Sequence, residues 1–268
     1  MVSFWKGVFV MRLSLIQMDM AFGQPEPNKQ QVGKMVQQAA QIESAEVVVL
    51  PELWNTAYDL ERLEEIADTG ELRQWLGQLA GEHGIYLVAG SVAVKEESGI
   101  YNKTYVYRPD GKEIASYRKV HLFRLMEEEK YLQPGQEKAF FSIDGHLASS
   151  IICYDLRFPE WVRSLALQGI SILFVPAQWP SPRLNHWRLL NQARAIENQM
   201  YVVAVNRVGE GGGNQFFGHS MVIDPWGNVL IEGGDEESIL TVEIDLSEVE
   251  RVRRKIPVFE DRRPELYL

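Results

Sequence analysis

Three runs of aliphatic residues constrain this chain more than anything else in it. Val47-Val48-Val49-Leu50, Ser149 to Ile152 and Ile172 to Val175 lack the polar alternation of a half-solvated strand. Each therefore predicts a strand buried on both faces, as in a sheet covered by helices or by a second sheet. Each run also stops at a chemically distinctive place: the first delivers Pro51-Glu52, the second Cys153 and the third Pro176 at its carboxyl end.

The remaining pattern fills in around these runs. Arg12 to Gln17 alternates as a strand, and Asn28 to Ile42 shows helical spacing after the breaker segment Gly23 to Pro27. Leu72 to Ala80 predicts a helix, Ile85 to Val94 one strand, and Thr104 to Tyr107 with Ile114 to Tyr117 a hairpin turning at Pro109-Asp110-Gly111. Trp187 to Asn198 and Leu246 to Lys255 read as helices. Tyr201 to Asn206, Ser220 to Ile223, Val229 to Ile231 and Ile239 to Ile244 read as strands, punctuated by Asp224-Pro225-Trp226-Gly227. Gly209 to Gly213 reads as a flexible loop. With no low-complexity linker, one domain over 1–268 is expected, with residues 1–10 as an N-terminal extension before Met11 and 256–268 as an extended C-terminal arm that packs on a neighbour. Strands outnumber what one parallel sheet needs, which suggests two stacked sheets with helices outside, although periodicity itself establishes only the α/β class.

Composition removes several functions. The chain has 27 Lys and Arg against 37 Asp and Glu, a formal charge of −10, which opposes nucleic acid and anionic membranes alike. The basic stretch Arg251 to Lys255 reads as the cationic end of a surface helix. A single cysteine forbids an internal disulfide and a Cys-based zinc site, and suits a reducing cytoplasm. The five histidines are dispersed without paired ligand spacing, so neither metal nor cofactor is expected. Met1 to Val10 is apolar but short and interrupted by Lys6, so it predicts no membrane span.

Cys153 ends its strand and is followed by Tyr154-Asp155-Leu156-Arg157-Phe158-Pro159-Glu160, where Pro159 suits the first turn of a helix. Such a strand-to-helix turn exposes the sulfur, and helix-start N–H groups with nearby cations lower its pKa toward the thiolate; the plain alternative is a buried core cysteine. Glu52, in Leu50-Pro51-Glu52-Leu53, is a carboxylate poorly hydrated unless it has a partner or a task, and a raised pKa there suits a general base. Lys119, in Tyr117-Arg118-Lys119-Val120-His121-Leu122-Phe123, sits among apolar residues rather than on a polar face.

Taken together and in order, V-V-V-L-P-E, Y-R-K-V-H-L-F and I-I-C-Y-D-L-R-F-P-E resemble the Glu-Lys-Cys signature of the nitrilase-like carbon–nitrogen hydrolases. The likeness runs along nearly the whole chain, through Pro134-Gly135, Val175 to Pro180, and His186-Trp187 to Asn198. It implies a four-layer α-β-β-α sandwich, Glu52 as general base, Lys119 as oxyanion stabiliser and Cys153 as nucleophile, with a backbone N–H, that of Tyr154, as a second oxyanion donor. It also implies a second carboxylate before the Pro-Gly turn, which spacing places at Glu128, flanked by Glu127 and Glu129. A Cys-His hydrolase with His121, His186 or His219 as base is a competing reading, as is an inactive partner-binding member of the family.

Arg157, four residues past Cys153, either aims its guanidinium at a substrate carboxylate or pairs with Asp155 or Glu160. The segment Cys-Tyr-Asp-Leu-Arg-Phe-Pro-Glu is similar to that of omega-amidases and deaminated-glutathione amidases. Lys119 to Met126 together with Gln178-Trp179-Pro180 looks most like the bacterial omega-amidase branch, including members associated with methionine salvage. That resemblance implies hydrolysis of 2-oxoglutaramate and 2-oxosuccinamate, with Phe123 and Trp179 walling the pocket. A deaminated-glutathione amidase or an N-carbamoyl amidohydrolase is the alternative within the family. Members usually pair through helices beside the site, so a homodimer or a higher homo-oligomer is expected.

Overall fold

The computed structural model describes residues 10–267; the expected N-terminal extension therefore lies outside the described residues, save Val10, which begins a strand. Two mixed sheets account for most of the chain. In the first, the strands lie in the order Ser238–Asp245, Val10–Gln17, Val47–Val49, Tyr86–Val88, Gly99–Tyr107 and Val92–Glu96, with Glu113–Arg118 also on Gly99–Tyr107. In the second the order is Val229–Glu232, Met221–Ile223, Tyr201–Asn206, Ile172–Ala177, His146–Ser150 and Phe140–Ile143. Each sheet has a parallel centre of three strands and antiparallel margins.

The aliphatic runs are buried on both faces, as their composition predicts. Val47 and Val49 face a core that both sheets share with Leu13, Leu15, Ile172, Phe174, Val203 and Val205. Val48 and Leu50 face the opposite way, into a core roofed by the helices Pro25–Gln41 and Glu71–His83. Leu173 and Val175 likewise turn outward, under Pro159–Ala166 and Leu184–Asn198. Three cores separate four layers, the α-β-β-α sandwich. At about 25 cal/mol per Å² of apolar surface, these continuous cores dominate the drive to fold, and a one-residue slip in a central strand would exchange its two buried faces.

Local chemistry explains where the chain departs from the simplest reading. The helix starts at Pro25 instead of after Pro27, because prolines in a first turn forfeit N–H groups that would be unpaired anyway. The single strand expected over Ile85 to Val94 is two, interrupted at Gly90 (φ 58°), where a Cβ would lie 2.0 Å from the Pro51 carbonyl oxygen. That close approach lets Ser91 donate its N–H to Pro51 (3.0 Å) and its hydroxyl accept from Leu53 (2.9 Å). The strand end carrying Glu52 is thereby locked. Gly209 to Gly213 is not a loose loop: Val208–Gly211 pairs with Asn214–Phe217 through Gly212-Gly213, both at positive φ as a two-residue hairpin demands.

The C-terminal arm is neither fully extended nor free of its own chain. Phe259 lies under the guanidinium groups of Arg163 (5.3 Å) and Arg253 (5.1 Å), Gln199 donates to the Ile256 carbonyl (2.7 Å), and Pro264–Leu266 forms a short helical turn.

Candidate active site

The carboxyl ends of the central strands of both sheets open on the same side, and the polar residues they deliver meet there. Glu52 comes from the first sheet. Gln178, just past Ile172–Ala177 in the second, donates its backbone N–H to Glu52 Oε2 (2.8 Å) and its side-chain amide to the Glu52 carbonyl (2.7 Å). Gln178 Oε1 in turn accepts from the fully buried Arg207 (2.9 Å), which fixes the orientation of its amide. Gln178 belongs to the Gln178-Trp179-Pro180 segment that carries the family resemblance, whereas Arg207 has no sequence signal beyond its place at a strand end.

Lys119 follows Glu113–Arg118 and points its ammonium between two carboxylates, 2.8 Å from Glu52 Oε1 and 2.6 Å from Glu128 Oε1. All three side chains are 0% exposed. Buried charges are tolerated only when paired and hydrogen-bonded, and these are: Glu128 Oε2 accepts the Phe123 N–H (2.7 Å), and the Tyr58 hydroxyl donates to Glu128 Oε1. Burial first, and the nearby Glu52 second, push the Glu128 carboxyl well above the usual carboxylate range. Of the acidic trio only Glu128 turns inward; Glu127, in a left-handed conformation, pairs outside with Lys130, and Glu129 is exposed. Pro134-Gly135 docks this loop, with the Gly135 N–H on the Lys119 carbonyl (2.7 Å) and so little room that a Cβ would meet the Arg118 oxygen at 2.2 Å.

Cys153 opens a short helical turn, Cys153–Arg157, and the helix Pro159–Ala166 follows with Pro159 in its first turn. The expected exposed sulfur is not found: Cys153 is 4% exposed. Nor is its pKa lowered. Burial, then the facing Glu52 carboxylate, drive the thiol well above its ordinary value, and the Lys119 charge opposes them without prevailing. A dry wall costs a thiolate more than one cation returns. Cys153 also sits at φ 45°, a left-handed conformation that costs a non-glycine residue roughly 1–3 kcal/mol and persists only where neighbours impose it.

Asp155 imposes it. The carboxylate accepts from the Ile152 N–H (2.9 Å), the Tyr117 hydroxyl (2.7 Å) and the His121 N–H (2.9 Å), with His121 Nδ1 a further 2.7 Å contact. One buried carboxylate therefore ties the cysteine turn to residues on both sides of Lys119. It also accounts for His121, which stacks on Phe158 at 3.7 Å and serves Asp155. His219 lies between Glu232 (2.7 Å) and Asp235 (3.0 Å), and His186 contacts Arg157 (3.4 Å). These three rings are thus engaged with other side chains, whereas the carboxylate that faces the thiol is that of Glu52, against the Cys-His reading.

Arg157 forms neither of the ion pairs open to it by sequence position. Its guanidinium lies over the Trp179 ring at 4.6 Å, with the His186 ring at its edge. Trp179 is buried and packs on Trp187 at 5.5 Å; the Arg157 cation lies across one of its faces. On the other flank Phe123 and Tyr154 pack together at 4.7 Å. Tyr154, next in chain to Cys153, lines a cleft of about 560 Å³ with His121, Arg124 and Phe158. Tyr58, bonded to Glu128, lines another of about 440 Å³ with Met126 and Gly212. A groove of about 660 Å³ beside the helix Glu71–His83 is larger, but its lining holds no nucleophile. Volume alone does not locate chemistry. Among the described residues, no group of three or more His, Cys, Asp or Glu is arranged to hold a metal, and no helix is long and apolar enough to cross a membrane.

A sulfur, a carboxylate and an ammonium converging at the strand ends of a four-layer sandwich define a hydrolase of the thiol-dependent carbon–nitrogen class. The sequence profile of the carbon–nitrogen hydrolases matches residues 12–254, and the chain belongs to that family. It is 48% identical to the 2-oxoglutaramate amidase of Bacillus subtilis (strain 168), over 95% of this chain and 98% of that one. Identity to an omega-amidase of Homo sapiens is 34%, over 96% of both chains. A solved Xanthomonas campestris protein of the CN-hydrolase superfamily superposes with a TM-score of 0.89 at 30% identity, covering 95% of this chain and 98% of that one.

Proposed function

We propose that this enzyme hydrolyses the terminal amide of small 2-oxo acids, 2-oxoglutaramate and 2-oxosuccinamate, to the acid and ammonia. The observation that carries the substrate reading is Arg157: a guanidinium with no carboxylate partner among the described residues, lying over the Trp179 ring at 4.6 Å one helical turn past the thiol. A planar cation so prepared fits the carboxylate of a short substrate whose amide reaches Cys153. The relative named 2-oxoglutaramate amidase, at 48% identity, supports it.

The chemistry begins with a neutral thiol. Glu52 takes the sulfur's proton as the sulfur attacks the amide carbon, and the carbonyl electrons move to oxygen, where the Lys119 ammonium and the Tyr154 N–H stabilise them. Collapse returns those electrons, breaks the carbon–nitrogen bond and expels ammonia with the proton from Glu52, leaving a thioester. Water then loses a proton to Glu52 as it attacks, and the proton passes to sulfur as the acid leaves. Glu128 holds Lys119 in place throughout. Because thiol and base are both ordered, no thiolate has to be stored at rest.

A cytoplasmic setting follows from a catalytic thiol that must stay reduced. A homodimer is supported by the exposed apolar side chains Leu189 and Ile196 on the helix Leu184–Asn198 and Val229 and Leu230 on the edge strand Val229–Glu232. The deciding assay is ammonia release from purified protein. Rates on 2-oxoglutaramate should greatly exceed those on glutamine, N-carbamoyl amino acids and nitriles, and Arg157→Ala should abolish the preference. Equal rates on N-carbamoyl compounds would place the enzyme in another branch.

A further inference from the structure

The two oxygens of Glu52 are not equivalent. Oε1 accepts from two N–H donors, Lys119 Nζ (2.8 Å) and Asn102 Nδ2 (2.8 Å), whereas Oε2 accepts from one N–H donor among the described residues, that of Gln178 (2.8 Å), and the Cys153 thiol faces the same carboxylate. Asn102 lies in the strand Gly99–Tyr107 and is 1% exposed. Because a carboxylate with these neighbours accepts, the amide nitrogen must face it, which leaves Asn102 Oδ1 buried without a partner. Half of a buried amide unpaired is a loss of stability, so Asn102 is not explained as a brace of the strand. Its backbone oxygen accepts the Lys119 N–H (2.9 Å), and that bond needs no particular side chain.

We infer that Asn102 is a positioning residue for the general base: by occupying Oε1 together with Lys119, it leaves Oε2 as the oxygen that takes the thiol proton. The inference rests on the reading of Glu52 as base. An oxygen with two donors in its plane has its lone pairs committed, and one with a single donor keeps a free lone pair for an incoming proton. Asn102 acts through Glu52 and touches no reacting atom. Lys119, Glu128 and Cys153 are the other ionisable groups around that carboxylate, and none of them replaces a neutral donor.

The test uses two variants of the full-length enzyme. Asn102→Ala should lower kcat by roughly tenfold to a hundredfold, the scale of a misaligned catalytic group, with KM within about twofold and Tm little changed, since the lost bond to Glu52 and the removal of an unpaired buried carbonyl oppose each other. Asn102→Asp is isosteric and guards against misfolding. Ionised, it confronts Glu52 with a like charge; protonated, it donates to Oε1 again. Its activity relative to wild type should therefore climb as the pH is lowered. A ratio that stays flat with pH, or a fall in Tm that tracks the loss of kcat, overturns the inference. Glu52→Gln, assayed beside them, separates the two layers of argument: full activity there removes Glu52 as base, whereas a dead Glu52→Gln beside a wild-type-like Asn102→Asp removes only the role of Asn102. In the Glu52→Gln background, Asn102→Ala should cost nothing further, because both act at one step.

Discussion

Lys119 and Arg157 are both cations near one thiol, and their surroundings are opposite. Lys119 is sealed, 0% exposed, between two carboxylates that the fold supplies. Arg157 is half-buried with an indole beneath it and no carboxylate partner among the described residues; burial depresses its pKa, though it stays charged. A charge whose partners come from the fold can be presented to a developing oxyanion without reorganisation. A charge left without one selects a ligand that brings it. The interior thus serves the reaction and the mouth serves choice of substrate.

Four substitutions probe that division, in decreasing order of effect. Cys153→Ala should reduce turnover by at least about 10⁴-fold with the circular-dichroism spectrum intact; full turnover would falsify the nucleophile. Lys119→Ala should lose activity by roughly 10²–10³-fold and stability too, by about 3–5 kcal/mol, because Glu52 and Glu128 are left buried together. Urea titration reads the second quantity, and an unshifted midpoint would break the contrast. Arg157→Ala should raise KM for 2-oxo-acid amides roughly tenfold or more, with stability moved by no more than about 1 kcal/mol, the scale of a stacked cation. Arg157→Lys should not restore it, since a point charge lacks the planar fork.

The smallest effect is one of pH. The folded protein holds the Glu128 proton more tightly than the unfolded chain does, so this group adds stability at pH below the ordinary glutamate value, and that contribution is lost as pH rises through the elevated one. Glu128→Gln should flatten that slope in a Tm-against-pH series; an unaltered slope would show that the carboxyl titrates normally. The thiol gives a parallel check. Its raised pKa predicts iodoacetamide labelling that is slow at neutral pH and speeds up only above the ordinary thiol range.

Much of this was legible in the chain itself. Valine and isoleucine runs announce the central strands, Glu52 and Cys153 stand out because each follows one, and Lys119 stands out because its neighbours are apolar. Spacing from Pro134-Gly135 points to Glu128, but why it and not Glu127 or Glu129 turns inward is a matter of the left-handed turn at Glu127, which three adjacent glutamates do not announce. The thiol was misjudged because a helix-start environment was visible in Asp155 to Pro159 while the drier walls, made by residues far away in sequence, were not. The roles of Asn102, Asp155 and Arg207 carry no local mark for the same reason: Tyr117 lies 38 residues from Asp155, Glu52 lies 50 from Asn102, and Asp19 lies 188 from Arg207. An asparagine in the middle of a β-forming run, Ile100 to Val106, was the one available hint, as such residues are depleted from strands.

Glu52 is delivered by one sheet and Cys153 by the other, and the valines and leucines between those sheets are what keep the two in register. Catalysis is therefore a gauge of how the halves of the sandwich are seated. Mild denaturant that loosens the central seam by a fraction of an ångström should silence the enzyme while each sheet still keeps its ladders, so inactivation should run ahead of the loss of β-structure.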